Sequence, residues 1–208
     1  MTVTVVTPWL GHPELCPAYL AAMQAGQPDE IVIVNNGDAP DLLDVYYIDH
    51  GTNYGFSRAC NLGLERATTE AVLFLNNDVR MSRPDWLRTI LDELRPGVLV
   101  GPLGPTAVRV DGCRLPYVDG WCLAGMRDDL LALGGWDEGY EEPSYWGDND
   151  LCLRAVRAGM RLVYLPDDFG LRHISNYTTR RMDVSGVSER NRARFEARAR
   201  RVLAVPVG

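Results

Sequence analysis

The segment Ala71-Val72-Leu73-Phe74-Leu75-Asn76-Asn77-Asp78-Val79 runs an apolar stretch into three polar residues, the last of them a carboxylate. A short apolar run bounded by turn-forming residues has the pattern of a buried strand in a parallel sheet. In an open α/β sheet, ligands bind just beyond the carboxyl ends of the strands. An acidic group such as Asp78 placed there suits a hard divalent cation, which in turn can hold a diphosphate. Alone, the segment reads more simply as a strand and an Asn/Asp turn. Three further segments shift that balance.

The surrounding pattern alternates strands with helices. Thr2 to Thr7 is a β-branched run that Pro8 should break, Glu30 to Val34 a second buried strand, and Val45 to Ile48 a third. Pro13 to Ala25, Ser57 to Ala67 and Pro84 to Leu94 have helical composition and spacing. This order implies a mostly parallel sheet with helices on both faces. Val98 to Val118 is Gly- and Pro-rich, with a hairpin expected at Val110-Asp111-Gly112-Cys113. Trp121 to Met126 and Arg161 to Leu165 read as strands; Asp128 to Leu133, Asp148 to Ala158 and Ser188 to Leu203 read as helices. Gly170 to Gly186 is polar and without period, and is expected to close over a bound ligand as active-site lids do.

Composition bounds the function. With 208 residues and 46% hydrophobic content the chain makes one domain, or one domain with a tail. No apolar run reaches bilayer length, and Met1 to Thr7 lacks the pattern of a signal peptide. Cys16, Cys60, Cys113, Cys122 and Cys152 have no C-x-x-C spacing, which disfavours zinc and suits reduced thiols in a cytoplasmic protein. A net charge of -7 argues against non-specific nucleic-acid binding. From Arg180 onward, however, eight arginines face Asp183, Glu189 and Glu196. That basic tail suits a membrane surface or a phosphate-rich partner. Ordinary packing through Phe195, Ala199 and Val202 is the alternative.

Three segments join Asp78. Ile31-Val32-Ile33-Val34 ends in Asn35-Asn36-Gly37-Asp38, a polar turn able to recognise a base edge or ribose hydroxyls. Gly135-Trp136-Asp137-Glu138, followed by Tyr145-Trp146-Gly147-Asp148-Asn149-Asp150, sets aromatic residues beside carboxylates at a helix start. Aromatic faces pack on sugar rings, and carboxylates bind hydroxyls or take their protons. Asp150 fits capping and the helix dipole, Asp148 fits chemistry. His173, one of three histidines, is a candidate second metal ligand beside Asp78. There is no G-x-G-x-x-G after the first strand and no P-loop, so neither a dinucleotide site nor a P-loop enzyme is expected.

Together these segments resemble the family 2 glycosyltransferases of the GT-A fold, most closely the rhamnosyltransferase-like members. The resemblance runs from about Val3 to His173. Val5-Val6-Thr7-Pro8, Glu30 to Gly37, Asn53-Tyr54-Gly55-Phe56-Ser57-Arg58-Ala59-Cys60-Asn61, Phe74 to Val79, Gly135 to Glu138, Asp148 to Arg154, Tyr164-Leu165-Pro166 and His173 carry it. It implies a GT-A domain over residues 1–180 and a basic helical tail over 181–208. It implies nucleotide contacts from Thr7, Pro8, Asn35, Gly55, Phe56, Arg58, Asn61 and Asn77. It implies a divalent metal, Mn²⁺ or Mg²⁺, on Asp78 and His173, and Asp148 as the base. Trp121, Tyr145, Trp146 and Asp137 would line the acceptor side, floored by the Trp121 to Ala124 strand. Asn35 stands where many relatives carry an Asp, and Gly147 where many carry a Glu.

The expected reaction is inverting sugar transfer from a UDP-, GDP- or dTDP-type nucleotide sugar to a saccharide, lipid-linked glycan or protein hydroxyl. The expected location is the cytoplasm, peripheral at a membrane if the tail docks there. A non-catalytic nucleotide- or glycan-binding protein on the same fold is the alternative. A nucleotidyltransferase is disfavoured by the lack of a Gly-rich, Lys-containing loop.

Overall fold

Strand side chains alternate between two faces, and here both faces are covered. Val3, Val5 and Trp9 of the first strand join one core layer, while Val6 joins the other. In Ala71–Leu75, Ala71, Leu73 and Leu75 point one way and Val72 and Phe74 the other. This period of two with burial on both sides explains why the strands read as unbroken apolar runs.

The computed structural model describes residues 1–42, 44–49, 51–104, 108–174 and 184–204. In chain order the elements are β1 (Val3–Leu10), a 3₁₀ turn (Pro13–Leu15), α1 (Cys16–Gly26), β2 (Glu30–Gly37), β3 (Tyr46–Ile48), α2 (Phe56–Arg66), β4 (Ala71–Leu75), β5 (Val79–Met81) and α3 (Trp86–Glu93). There follow β6 (Val98–Pro102), β7 (Val108–Val110), β8 (Cys113–Leu115), β9 (Cys122–Met126), α4 (Arg127–Ala132), α5 (Gly147–Arg157), β10 (Arg161–Leu165), β11 (Leu171–His173) and α6 (Val187–Leu203).

The main sheet has seven strands in the order β10-β6-β9-β4-β1-β2-β3. All neighbours are parallel except β9, which runs antiparallel to both β4 and β6. The predicted mostly parallel sheet with helices on both faces is therefore present. The core layer holding Tyr19, Met23, Trp86 and Ile90 brings α1 and α3 to one face. The other layer brings α2, α4, α5 and α6 to the opposite face through Cys60, Leu64, Leu130, Leu151 and Phe195. The β7–β8 hairpin turns where expected. Cys60, Cys122 and Cys152 are buried free thiols.

Three features depart from the sequence reading. Pro8 does not end β1: the strand continues beside β2, with Pro8 opposite Val34. Beyond Val6 the strand has lost its β4 neighbour, so a missing N–H costs little there. The strands β5 and β11, three residues each, are too short for a periodic signal. They form their own antiparallel pair, with His173 opposite Val79. Finally, β6 lies inside the stretch read only as Gly- and Pro-rich, and all but Pro102 of it is buried.

Among the described residues, no helix is long and apolar enough to cross a membrane. The expected mobile stretch falls in part on residues 175–183, which lie outside the described residues.

Candidate functional site

The antiparallel strand β9 builds the site. Because it runs against β4, its first residues meet the last residues of β4: Leu75 pairs with Cys122, and Asn76 donates its backbone N–H to the Trp121 carbonyl at 2.9 Å. The Asn76-Asn77-Asp78 turn and the Asp119-Gly120-Trp121 approach to β9 thus face one cavity. The start of α5 and the end of β11 complete it. The cavity has a volume of about 520 Å³ and is lined by Asp78, Asp119, Trp121, Tyr145, Trp146, Asp148 and His173, with Pro8, Gly55, Phe56 and Asn77 also on its walls.

The β5–β11 pairing brings His173 to Asp78 across ninety-five residues. Nε2 of His173 lies 3.0 Å from Asp78 Oδ1 and 3.3 Å from Asn76 Nδ2. One ring nitrogen cannot donate to the carboxylate and accept from the amide at once, so the imidazole has two alternative partners and, when neutral, a lone pair for a cation. Its ring lies flat on Trp121, with centroids 5.0 Å apart and planes within 6°. Asp78 is 3% exposed, and its carbonyl accepts the Ile174 N–H at 2.8 Å. A carboxylate oxygen and an imidazole nitrogen at this separation are a donor set that suits Mn²⁺ or Mg²⁺. Among the described residues, no group of three or more His, Cys, Asp or Glu forms a metal cage. A cation here would take its other ligands from phosphate oxygens and water. Asn77 lines the same cavity, and its Nδ2 is a buried amide nitrogen without a hydrogen-bond partner.

Asp148 sits in the first turn of α5. Its Oδ2 accepts the Gly120 N–H at 3.1 Å and its Oδ1 accepts the Asn149 N–H at 2.8 Å. Burial, then the like charge of Asp119, pushes its pKa up to about 7, against the pull of those N–H donors. Asp119 is itself raised by burial and lowered by His173. A carboxylate poised near neutrality in a cleft can take a proton from a hydroxyl. Asp150, two residues on, is fully buried and takes a different part: it pairs with Arg154 at 2.8 Å, Arg198 at 2.7 Å and the Tyr140 hydroxyl at 3.2 Å.

Five sequence-derived residues lie off the cavity wall. Thr7 is fully buried and its hydroxyl bonds that of Tyr19 at 2.9 Å, because the alternation of β1 turns it into the core. Asn35 is committed within its own turn: its Oδ1 accepts the N–H groups of Gly37 and Ala39, and its Nδ2 donates to Asp49 at 2.7 Å. The amide oxygen expected to read a base thus already has two donors. Arg58 pairs with Glu138 at 3.2 Å on the surface. Asn61 bonds the Trp136 backbone in both directions, at 2.9 and 2.8 Å. Asp137 pairs with Arg194 at 3.1 Å and Arg198 at 2.9 Å, so it anchors α6 instead of facing a sugar.

Other residues were missed. Asn36, one position after Asn35, lines the cavity and holds its rim by accepting the Tyr54 N–H and donating to the Gly55 carbonyl. Glu142, raised by burial, accepts the Phe56 N–H at 2.7 Å and so caps α2 from eighty-six residues away. Asp119 sits between the Gly- and Pro-rich stretch and the Trp121 strand, in neither of the two stretches read from the sequence. Only its place before Gly120-Trp121 hinted at a role, and for Glu142 the sequence carries no local signal.

The sequence profile described as Glycosyl transferase family 2 matches residues 19–112. An uncharacterized glycosyltransferase of Mycobacterium tuberculosis is 31% identical over 199 residues, an alignment covering 82% of this chain and 86% of the relative. A mannosyltransferase from Pyrobaculum calidifontis, solved in complex with GDP-Man and Mn²⁺, superposes with a TM-score of 0.63 at 20% identity over 79% of this chain. The chain spans 55% of that protein's length. The catalytic domain of a Drosophila β1,4-galactosyltransferase, in complex with xylobiose, gives a TM-score of 0.61 at 16% identity, covering 92% of this chain and 79% of that one. At these identities the structural likeness speaks to the fold alone.

Proposed function

The chain belongs to glycosyl transferase family 2, with a GT-A-type fold, and from that premise we propose that it is a metal-dependent inverting enzyme. It takes a sugar from a nucleotide-diphosphate donor and passes it to an acceptor hydroxyl. The observation that supports this most is that Asp148, raised to about 7, shares one cavity with the Asp78–His173 pair. A base and a diphosphate-side cation site are the two things a single displacement needs.

Asp148 takes the acceptor proton as the hydroxyl attacks the anomeric carbon from the face opposite the leaving diphosphate, which inverts that centre. The Gly120 and Asn149 N–H groups hold the carboxylate in place. A divalent cation bound by Asp78 and His173 would supply positive charge against the leaving group. Tyr145 and Trp146 offer ring faces to an acceptor saccharide. Trp121, with one face on His173, serves the cation side.

The test is calorimetric binding of UDP, GDP and dTDP, each with and without Mn²⁺, followed by transfer assays with sugar donors of the base that binds. One base binding only with metal is the expected result. Binding of none would overturn the reading.

A further inference from the structure

The arginine-rich helix α6 was expected to face a membrane, a partner or the chain's own core. Val187, Asn191, Phe195 and Ala199 on one face are buried. The arginines on the other are largely paired within the chain: Arg190 with Glu141, Arg192 with Glu196, Arg194 with Asp137, Arg198 with Asp137 and Asp150, and Arg200 with Asp111 and Glu196.

Besides packing on α5 and β7, the buried face meets the segment Glu141-Glu142-Pro143-Ser144-Tyr145-Trp146, whose residues from Glu142 on line the cavity and lead into Asp148. Asn191, 2% exposed, grips it with both ends of its amide: Oδ1 accepts the Glu141 N–H at 2.9 Å and Nδ2 donates to the Glu141 carbonyl at 2.8 Å. At the other end, Trp146 Nε1 donates to the Ser188 hydroxyl at 3.3 Å, and the Trp146 ring lies 5.6 Å from that of Phe195. The same segment is tied directly to the start of α2 by Glu142 on the Phe56 N–H and by Ser144 on Ser57. Ser144 and Trp146 have left-handed backbones, at φ 64° and 74°, which non-glycine residues hold only when their surroundings fix them.

We infer that Asn191 is a positioning residue for transfer: it holds the Glu141–Trp146 wall against α6 and so sets where Trp146 and Asp148 meet the acceptor. The inference rests on the glycosyltransferase reading of the cavity. Donor binding through the Asp78–His173 pair, whose hydrogen-bond partners do not include this segment, is not carried by Asn191. The exposed Arg190–Glu141 pair is expected to add little, as surface pairs do.

The test compares Asn191→Ala, Asn191→Asp and Arg190→Ala in the full chain. The Asp variant keeps an acceptor for the Glu141 N–H and loses the donor to its carbonyl, so it serves if the Ala variant does not fold. Hydrogen exchange is read over residues 141–150, nucleotide affinity by calorimetry with Mn²⁺, and transfer as separate kcat and acceptor KM. Both Asn191 variants should speed exchange in that segment, keep nucleotide Kd within about twofold, and lower acceptor kcat/KM by about 10–100-fold, the cost of a small misplacement of reacting groups. Arg190→Ala should match the wild type. Unchanged exchange and transfer in both Asn191 variants would overturn the inference, as would nucleotide affinity falling in step with transfer. If the wild type transfers no sugar, the family-level reading of activity fails by itself, and the exchange data still decide whether Asn191 holds the wall.

Discussion

The Oδ2 atom of Asp148 accepts the backbone N–H of Gly120 at 3.1 Å, which fastens the first turn of α5 to the approach of β9 and leaves Asp119 as the neighbouring charge. Gly120 fits closely there: a Cβ at that position would stand 3.2 Å from Asp148 Cβ and 3.0 Å from the Trp136 ring, so a side chain would press on both.

With its pKa at about 7, Asp148 is protonated below neutrality and cannot accept the acceptor proton. Transfer should therefore rise with pH through about 7. Asp119→Asn removes a like charge and should move that limb to lower pH. Asp148→Asn should lower kcat by about 10²–10⁴-fold while nucleotide binding persists. The same shift has a stability sign. Between the ordinary carboxylate range and about 7 the folded chain holds a proton that the unfolded chain has released, so stability should fall as pH rises through that window. Asp148→Asn should flatten the fall. A pH–rate profile insensitive to Asp119→Asn would count against the coupling.

The Trp121 ring stacked on His173 orients the imidazole toward Asp78. Trp121→Leu should weaken Mn²⁺-dependent nucleotide binding by about 10–100-fold, the range for losing a group that orients a ligand. Asp78→Asn and His173→Ala should weaken it further. Calorimetry in Mn²⁺ and in EDTA reads the difference, and equal affinities in the two would sink the cation site.

Asp150 is fully buried between Arg154 and Arg198. Replacing it by Ala leaves Arg154 without a carboxylate and Arg198 with Asp137 alone, and urea unfolding should show a loss of about 3 kcal/mol. Asp137→Ala removes a more exposed partner of Arg198 and should cost less.

Gly63 lies in the middle of α2, where Gly→Ala ordinarily stabilises a helix by about 1 kcal/mol. Here a Cβ would stand 2.1 Å from Val6 Cγ1 of β1. Gly63→Ala should instead destabilise by about 1–3 kcal/mol, as overpacking does. A raised Tm would show that α2 can shift off the sheet.

Asn35→Asp adds a carboxylate near the end of β2. In this chain it sets a carboxylate against Asp49, to which Asn35 now donates. Nucleotide affinity should not rise, and a gain of tenfold or more, about 1.4 kcal/mol, would mean that the turn opens toward the base.

The sequence by itself determined the strand–helix order, the two-faced burial of β4, and the placing of Asp78 and Asp148 at the ends of elements. These follow from apolar periodicity and from turn residues, which act over a few positions. Tertiary structure decided what those ends face. The antiparallel insertion of β9 brings Asp119 and Gly120 to Asp148, and the β5–β11 pairing brings His173 to Asp78. Alternation sends Thr7 into the core, and Asn36, not Asn35, lines the cavity. Asp137 and Asp150 are claimed by arginines more than forty residues away. Such choices depend on strand direction and on which distant side chain arrives opposite, and both are settled by burying two apolar faces at once instead of by any local run of residues.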